Sequence, residues 1–292
     1  VVMIYQAGPI KRSRATAFEM ETRAAFLVDY AETHGPVTVR GLFYAATVAG
    51  LPGINKSEAG YAKVQKQVLD LRRAGRLPYN TIADQARYMR KPRTFADWQS
   101  ALIDTARFYR KDLWADAPEC VEVWIEKSAL AGVIYPVTQD YDVPLMPTGG
   151  YTSETFAHEA VEAMRGSGKT LVIYALYDFD RSGKDAEASL CEKVTRFGAA
   201  YGVPVQFNSL GLSIEQVQAW RLPTRLPKRG TIADQRWPHD CAAELDAVPP
   251  DDLRTLVRSA IETHLPASQL DQLKRIERLE REALLAFMGE RM

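Results

Sequence analysis

Cysteine, net charge and long apolar runs are all scarce in this sequence, and each scarcity excludes a class of protein. Only three cysteines occur among 292 residues, and none of them stands in a C-x-x-C spacing. A disulfide framework and a zinc knuckle are therefore excluded as the basis of the fold. No run approaches the roughly 20 consecutive apolar residues that a membrane-spanning helix needs. The first residues carry their basic end on the wrong side for a signal peptide, so the sequence predicts a cytoplasmic protein.

The formal net charge is zero, but the charge is unevenly divided along the chain. Residues 1–118 contain 18 Lys and Arg against 11 Asp and Glu, whereas the remaining residues contain 19 against 26. The N-terminal part alone therefore has the electrostatics to meet a phosphate backbone. A solvated surface with a chance asymmetry is the alternative interpretation.

Three short helices are predicted in the N-terminal part. The first covers residues 15–34, the second begins after the capping residue Thr38, and the third begins after Ser57. The apolar positions at helical spacing, which predict the inner faces, are Phe18, Ala25, Val28 and Ala31 in the first helix and Val64, Val68 and Leu71 in the third. The basic segment 76–93 follows, and it is predicted to form a hairpin or wing. This succession is typical of a winged helix. The third helix and its flanks carry the basic residues predicted to bind DNA, which are Lys56, Lys63, Lys66, Arg72, Arg73 and Arg76.

From residue 121 onward, short apolar runs alternate with helical segments. This alternation predicts an α/β domain with a doubly wound, mostly parallel sheet. Two further helices are predicted after residue 249. We therefore divide the chain into a mainly α DNA-binding domain over residues 1–118, an α/β domain over residues 119–246, and a C-terminal helical segment over residues 247–292.

Acidic residues stand directly after two of the predicted strands. Glu126 follows the run VEVWI, and Asp178 and Asp180 follow TLVIYALY. Functional groups of open α/β sheets gather at the carboxyl ends of the strands. Because carboxylate oxygens select hard cations, the three acids predict a Mg²⁺ site. Simple capping of the following helices is the alternative role.

These motifs together resemble a known superfamily. A strand ending in Glu126, then Thr148-Gly149-Gly150, then a strand ending in D-x-D-x-x-G, is similar to the Toprim domain of topoisomerases, primases and related nucleases. The order EKSA, TGGYTSETF, YALYDFDRSG looks most like the A subunit of topoisomerase VI and its meiotic double-strand-break relative. The segment from Thr38 to Tyr44 resembles the R-x-x-[FY]-Y motif in the winged helix of that family.

The resemblance implies an activity and a role for each matching residue. Tyr44 would attack a DNA phosphate and form a phosphotyrosyl link to a 5′ end, and Arg40 would help to hold that phosphate. Glu126, Asp178 and Asp180 would bind Mg²⁺. The implied partners are double-stranded DNA, a second copy of the chain in a homodimer, and a separate ATPase subunit, with a nucleoid-associated location if the source is prokaryotic.

Two other functions stay open at this point. Arg181-Ser182 stands where the topoisomerase family usually has proline, and it is closer to the D-x-D-R-x-G form of other Toprim proteins. This difference points to the second possibility, a hydrolytic nuclease of the plasmid-defence type, in which metal-activated water attacks the phosphate and Tyr44 merely packs beside Phe43. The third possibility is a non-catalytic DNA-binding or scaffold subunit.

Overall fold

The computed structural model describes residues 15–83 and 92–289. Three helices come first in the described part of the chain, and a side chain caps each of them. The Oγ1 atom of Thr38 accepts a hydrogen bond from the backbone nitrogen of Gly41 at 2.8 Å, and Ser57 does the same for Gly60 at 3.1 Å. Both predicted caps are confirmed. The helices are α1 (Ala17–His34), α2 (Val39–Val48) and α3 (Glu58–Arg73).

These helices enclose a small apolar core. The predicted inner face of α3 is confirmed, because Val64, Val68 and Leu71 are all buried. The apolar positions predicted for α1 are wrong at Phe18, whose side chain is 81% exposed, and at Ala25, which is also exposed. Phe18 stands in the first turn of α1, whereas the buried apolar stripe is formed further along the helix by Ala24, Leu27 and Ala31.

Residues 84–91 of the predicted wing lie outside the described residues. In its described flank the chain forms a short 3₁₀ helix (Tyr79–Thr81) and one parallel bridge between Val37 and Ile82. The next element, α4 (Trp98–Arg107), was not predicted. It packs against the last helix of the chain.

The second part of the chain is built on a four-stranded parallel sheet. The strands are β1 (Glu119–Ile125), β2 (Leu145–Pro147), β3 (Thr170–Leu176) and β4 (Val205–Gly211). They lie in the order β2-β1-β3-β4, which confirms the α/β prediction with a parallel sheet. The Toprim and winged-helix assignments stay predictions. Strand β2 lies at the edge, as Pro144 in the apolar run VPLM leads us to expect, because a strand with a proline is tolerated best where one side is unpaired.

Helices cover both faces of this sheet. The helices of this part of the chain are α5 (Ser128–Asp140), α6 (Glu154–Glu162), α7 (Arg181–Tyr201), α8 (Ile214–Ala219), α9 (Ile232–Gln235), α10 (Pro250–Glu262) and α11 (Ala267–Gly289). Successive side chains of a strand point to opposite faces, so that Val123 belongs to the core beneath α5 and α10 while Trp124 belongs to the core beneath α6 and α7.

Helix α11 is predicted to be amphipathic through a leucine-rich stripe, and only the beginning of that stripe packs inward. Leu270 is 8% exposed, whereas Leu279 is 64% exposed and Leu284 is 39% exposed. Within residues 15–83 and 92–289, no helix combines the length and the apolar character that crossing a membrane requires.

Polar contacts join the N-terminal helices to the rest of the chain. The Oγ1 atom of Thr38 donates to Oδ1 of the buried Asp246 at 2.8 Å. Arg254 of α10 donates to the backbone carbonyls of His34 at 3.0 Å, Pro36 at 2.8 Å and Val133 at 2.9 Å. The first two carbonyls belong to the turn between α1 and α2, and the third belongs to α5. The contacts hold α2 beside the carboxyl ends of the strands.

Candidate functional site

The three predicted metal ligands lie together at the carboxyl ends of β1 and β3. These strands are neighbours and pair in register up to Ile125 and Leu176, so the residues that follow them meet at one edge of the sheet. The Oε2 atom of Glu126 accepts a hydrogen bond from the backbone nitrogen of Asp178 at 3.0 Å. Asp180 caps α7, because its Oδ1 atom accepts from the backbone nitrogen of Gly183 at 2.8 Å.

Lys127 contacts one of these predicted ligands and two further acids. Its ammonium nitrogen is 2.8 Å from Oδ2 of Asp178, 2.9 Å from Oδ2 of Asp246 and 3.3 Å from Oε2 of Glu244. The sequence-based prediction of the site did not include Lys127, Glu244 or Asp246. Lys127 directly follows Glu126 and could have been found from that position, whereas nothing local in the sequence marks Glu244 and Asp246.

Two arginines approach the same carboxylates from other parts of the chain. A guanidinium nitrogen of Arg225 lies 2.6 Å from Oδ2 of Asp180, and Nε of Arg40 lies 3.5 Å from Oε2 of Glu244. Arg225 pairs through its backbone with Ala242 in an isolated antiparallel bridge, which places it beside the acidic cluster. It was also missed, because it stands in an irregular segment without a motif.

Burial and charge act against each other within this cluster. Burial raises the pKa of the Asp178 carboxyl to about 6, although the ammonium of Lys127 pulls it down. Burial by itself would lower the pKa of Lys127, but the carboxylates around it, with Asp246 first, raise it above its ordinary value. Lys127 is therefore charged at neutral pH, and it compensates part of the repulsion among the acids.

The cluster forms one wall of a cleft of about 730 Å³ between the N-terminal helices and the sheet. The facing wall comes from α2 and α3 through Arg40, Tyr61 and Arg72. Acidic and basic side chains therefore face each other across the cleft. The charged residues that line it are Arg40, Arg72, Glu126, Lys127, Asp178, Asp180, Arg225, Lys228, Glu244 and Asp246.

The chemistry of the acidic wall fits a hard divalent cation, because its acidic donors are carboxylate oxygens. Within the described ranges, no three His, Cys, Asp or Glu side chains are already drawn together around one ion position. Asp178 and Asp180 are paired instead with Lys127 and Arg225. A bound Mg²⁺ would displace the ammonium of Lys127 and the guanidinium of Arg225 from these carboxylates. The Mg²⁺ site stays a prediction.

Helix α2 presents the predicted nucleophile and its arginine one turn apart. Tyr44 is only 4% exposed, and it borders a side pocket of about 140 Å³ that shares Arg40, Arg225 and Glu244 with the main cleft. Burial and the nearby Glu244 raise the pKa of Tyr44 to about 12, while Arg40 lowers it. The ammonium of Lys56 lies 5.6 Å from the centre of the tyrosine ring.

The residues predicted to bind DNA do not share one surface. Lys56 donates to the backbone carbonyl of Thr224, and the guanidinium of Arg72 stacks on the ring of Tyr79 at 4.3 Å, so both lie on the cleft side of α3. Arg73 is exposed.

The other three predicted DNA-binding residues lie away from the cleft. Lys63 donates to a backbone carbonyl at 2.8 Å, and Lys66 pairs with Asp70 at 2.6 Å. Arg76 pairs with Glu21 of α1 at 2.5 Å. The basic residues of this region therefore form two groups on different sides of α3.

A comparison of the sequence with protein-family models finds no matching family, and a comparison with curated proteins finds no significant match.

Proposed function

We propose that this protein cleaves DNA strands in a magnesium-dependent reaction. The observation that carries the proposal is the cleft in which Glu126, Asp178 and Asp180 face Arg40 of α2. Carboxylates that bind metal and guanidinium groups that bind phosphate are the two sets of side chains that phosphodiester cleavage needs. The resemblance to Toprim proteins supports the same chemistry.

Glu126, Asp178 and Asp180 would hold Mg²⁺, which when bound stabilises the negative charge that develops on the phosphate and the leaving oxygen. Arg40 and Arg225 border the cleft and carry donors that match phosphate oxygens. Both arginines would orient the scissile phosphate. The acids would keep the arginines in place before DNA arrives, because each arginine pairs with a carboxylate.

Tyr44 is the proposed nucleophile. Its phenol oxygen would attack the phosphorus, the bond to the 3′ oxygen would break, and the protein would become linked to the 5′ end. The phenol proton must leave during this step, and Glu244, which borders the same side pocket as Tyr44, would serve as the proton acceptor. The side pocket that holds Tyr44 adjoins the main cleft through shared residues.

Hydrolysis is the second candidate, and the burial of Tyr44 favours it. A phenol that is 4% exposed and has a pKa of about 12 is a poor nucleophile unless the site opens. In this version activated water attacks the phosphate, and Tyr44 serves as a core residue. The homodimer and the separate ATPase subunit that the resemblance implies are proposals of the first version only.

The two versions leave different products. Incubation of supercoiled DNA with the protein and Mg²⁺, followed by denaturation, should yield DNA with covalently attached protein that protease removes. We expect Tyr44→Phe to abolish this product and Tyr61→Phe, the matched control in the same cleft, to retain it. Free DNA ends produced equally well by Tyr44→Phe would establish hydrolysis.

The metal assignment has its own test. Asp178→Asn combined with Asp180→Asn should remove cleavage by either version while DNA binding in EDTA persists. Cleavage that survives this double substitution would refute the proposed function.

A further inference from the structure

A second cavity lies between α1 and α3, away from the cleft. Its volume is about 400 Å³. Lys63 and Lys66 line it, whereas Tyr61 and Arg72 of the same helix line the cleft. Since an α-helix turns once in 3.6 residues, these two pairs face roughly opposite sides of α3. The side chains that matter for its chemistry are Glu19, Arg23, Lys63, Lys66 and Asp70.

Arg23 is an unusual residue in this cavity. Its side chain belongs to α1 and is only 5% exposed, and its Nε atom is buried without a hydrogen-bond partner. Among the described residues, no carboxylate lies within ion-pair distance of it. Its Nη1 atom would be 4.0 Å from a Cβ atom added to Gly53, which places the guanidinium at the wall of the cavity. Buried charges in proteins are ordinarily paired, so this one indicates a missing anion.

The acids at the cavity are already engaged by other groups. Asp70 pairs with Lys66 at 2.6 Å, and Glu19 accepts a hydrogen bond from the backbone at the start of α1 at 2.7 Å. Lys63 donates to a backbone carbonyl. The cavity is therefore lined by three cations and two carboxylates. Among the described residues Arg23 and Lys63 have no carboxylate within ion-pair distance, and of these two only Arg23 is buried.

We propose that this cavity binds a phosphate group, with Arg23 as the main ligand and Lys63 and Lys66 beside it. The planar guanidinium offers paired donors that match two phosphate oxygens. One excess positive charge is balanced by the single charge of a phosphodiester, whereas a phosphate monoester carries about −1.5 to −2 at neutral pH. The charge balance thus favours a nucleic-acid backbone. The choice of a nucleic-acid backbone as the source of the phosphate rests on the proposed function, whereas the proposal that the cavity binds phosphate does not.

The test compares Arg23→Gln with Arg165→Gln. The matched control removes an arginine that is not among the predicted DNA-binding residues and that already pairs with Glu162. Affinity for a short labelled duplex is measured in EDTA at several salt concentrations. We expect Arg23→Gln to weaken binding about tenfold and to reduce the salt slope by about one unit. Arg165→Gln should have a smaller effect on both.

Inorganic phosphate is the second probe. The melting temperature of each protein is measured in phosphate and in chloride at equal ionic strength. If phosphate stabilises the wild type but not Arg23→Gln, while the DNA affinities are equal, the site exists and takes a free phosphate. If neither the DNA affinity nor the response to phosphate depends on Arg23, the inference is overturned.

A third measurement, the melting temperature of Arg23→Met, tests whether Arg23 merely stabilises the fold, in which case the variant would melt lower than the wild type. We expect Arg23→Met to melt no lower than the wild type in chloride, because the substitution removes an unpaired buried donor and keeps most of the side-chain volume. If the protein binds phosphate through Arg23 but neither binds nor cleaves DNA, only the proposed function is refuted, and the phosphate site stands.

Discussion

Asp178 is the residue at which burial and charge compete most directly. Its carboxyl is 8% exposed and touches Lys127, and its Oδ1 atom accepts a hydrogen bond from the backbone nitrogen of Leu245 at 2.8 Å. Burial prevails in this competition and raises the pKa to about 6. The ionised form is therefore less stable in the folded protein than in the unfolded chain, where the pKa is about 3.9.

This shift predicts how stability depends on pH. Because the folded pKa is the higher one, the contribution of Asp178 is fully present below about pH 4 and is lost as the pH rises through about 6. We expect the free energy of unfolding in EDTA to lose up to about 3 kcal/mol over this window through Asp178. Urea unfolding at several pH values should show this loss in the wild type and not in Asp178→Asn. Parallel curves for the two proteins would contradict the assignment.

Helix α7 depends on a residue that also serves the proposed site. Asp180 caps its first turn and pairs with Arg225, while Leu190 and Val194 of the same helix pack under the sheet. A change at Asp180 therefore combines a loss of helix stability with a loss of charge in the cleft. The two effects can be separated by the choice of substitution.

Asparagine keeps the cap and removes the charge, whereas alanine removes both. We expect the free energy of unfolding of Asp180→Ala to be about 1 kcal/mol lower than that of Asp180→Asn. Both variants should lose DNA cleavage, because neither retains the carboxylate. Urea denaturation and a cleavage assay on the same preparations check the two effects. Equal stability of the variants would show that capping by Asp180 contributes nothing.

At the scale of the whole molecule, Arg254 connects parts of the chain that are far apart in sequence. It donates to two carbonyls between α1 and α2 and to one carbonyl of α5, and its side chain is 13% exposed. The cleft depends on this connection, because α2 supplies Arg40 and Tyr44 to it while the strands supply the acids.

We expect Arg254→Met to loosen the N-terminal helices from the sheet. Three carbonyls would lose a charged donor, which should lower the free energy of unfolding by about 3 kcal/mol. Limited proteolysis should then cut near residue 36 faster than in the wild type. Arg258→Met, one turn further along α10 and exposed, is the control and should change stability by less than about 0.5 kcal/mol. Similar proteolysis of both variants would rule out the connecting role.

Local patterns in the sequence were sufficient for most of the elements. The caps Thr38 and Ser57, the buried stripe of α3, and the parallel sheet follow from capping chemistry and from periodicity, which need only a few neighbouring residues. They also placed Glu126 at a strand end. They were insufficient at Phe18, because which face of α1 is buried depends on what packs against it.

Tertiary structure alone decided what surrounds the acids. Lys127 meets Glu244 and Asp246 although more than one hundred residues separate them, and no periodicity records such a meeting. The same holds for Arg225 beside Asp180 and for the unpaired Arg23. The sequence by itself determined most of the elements and the three candidate ligands, because those signals are local. The partners of each charge were decided by the packing of the N-terminal helices on the sheet, since the energy of a charge depends on every group that surrounds it.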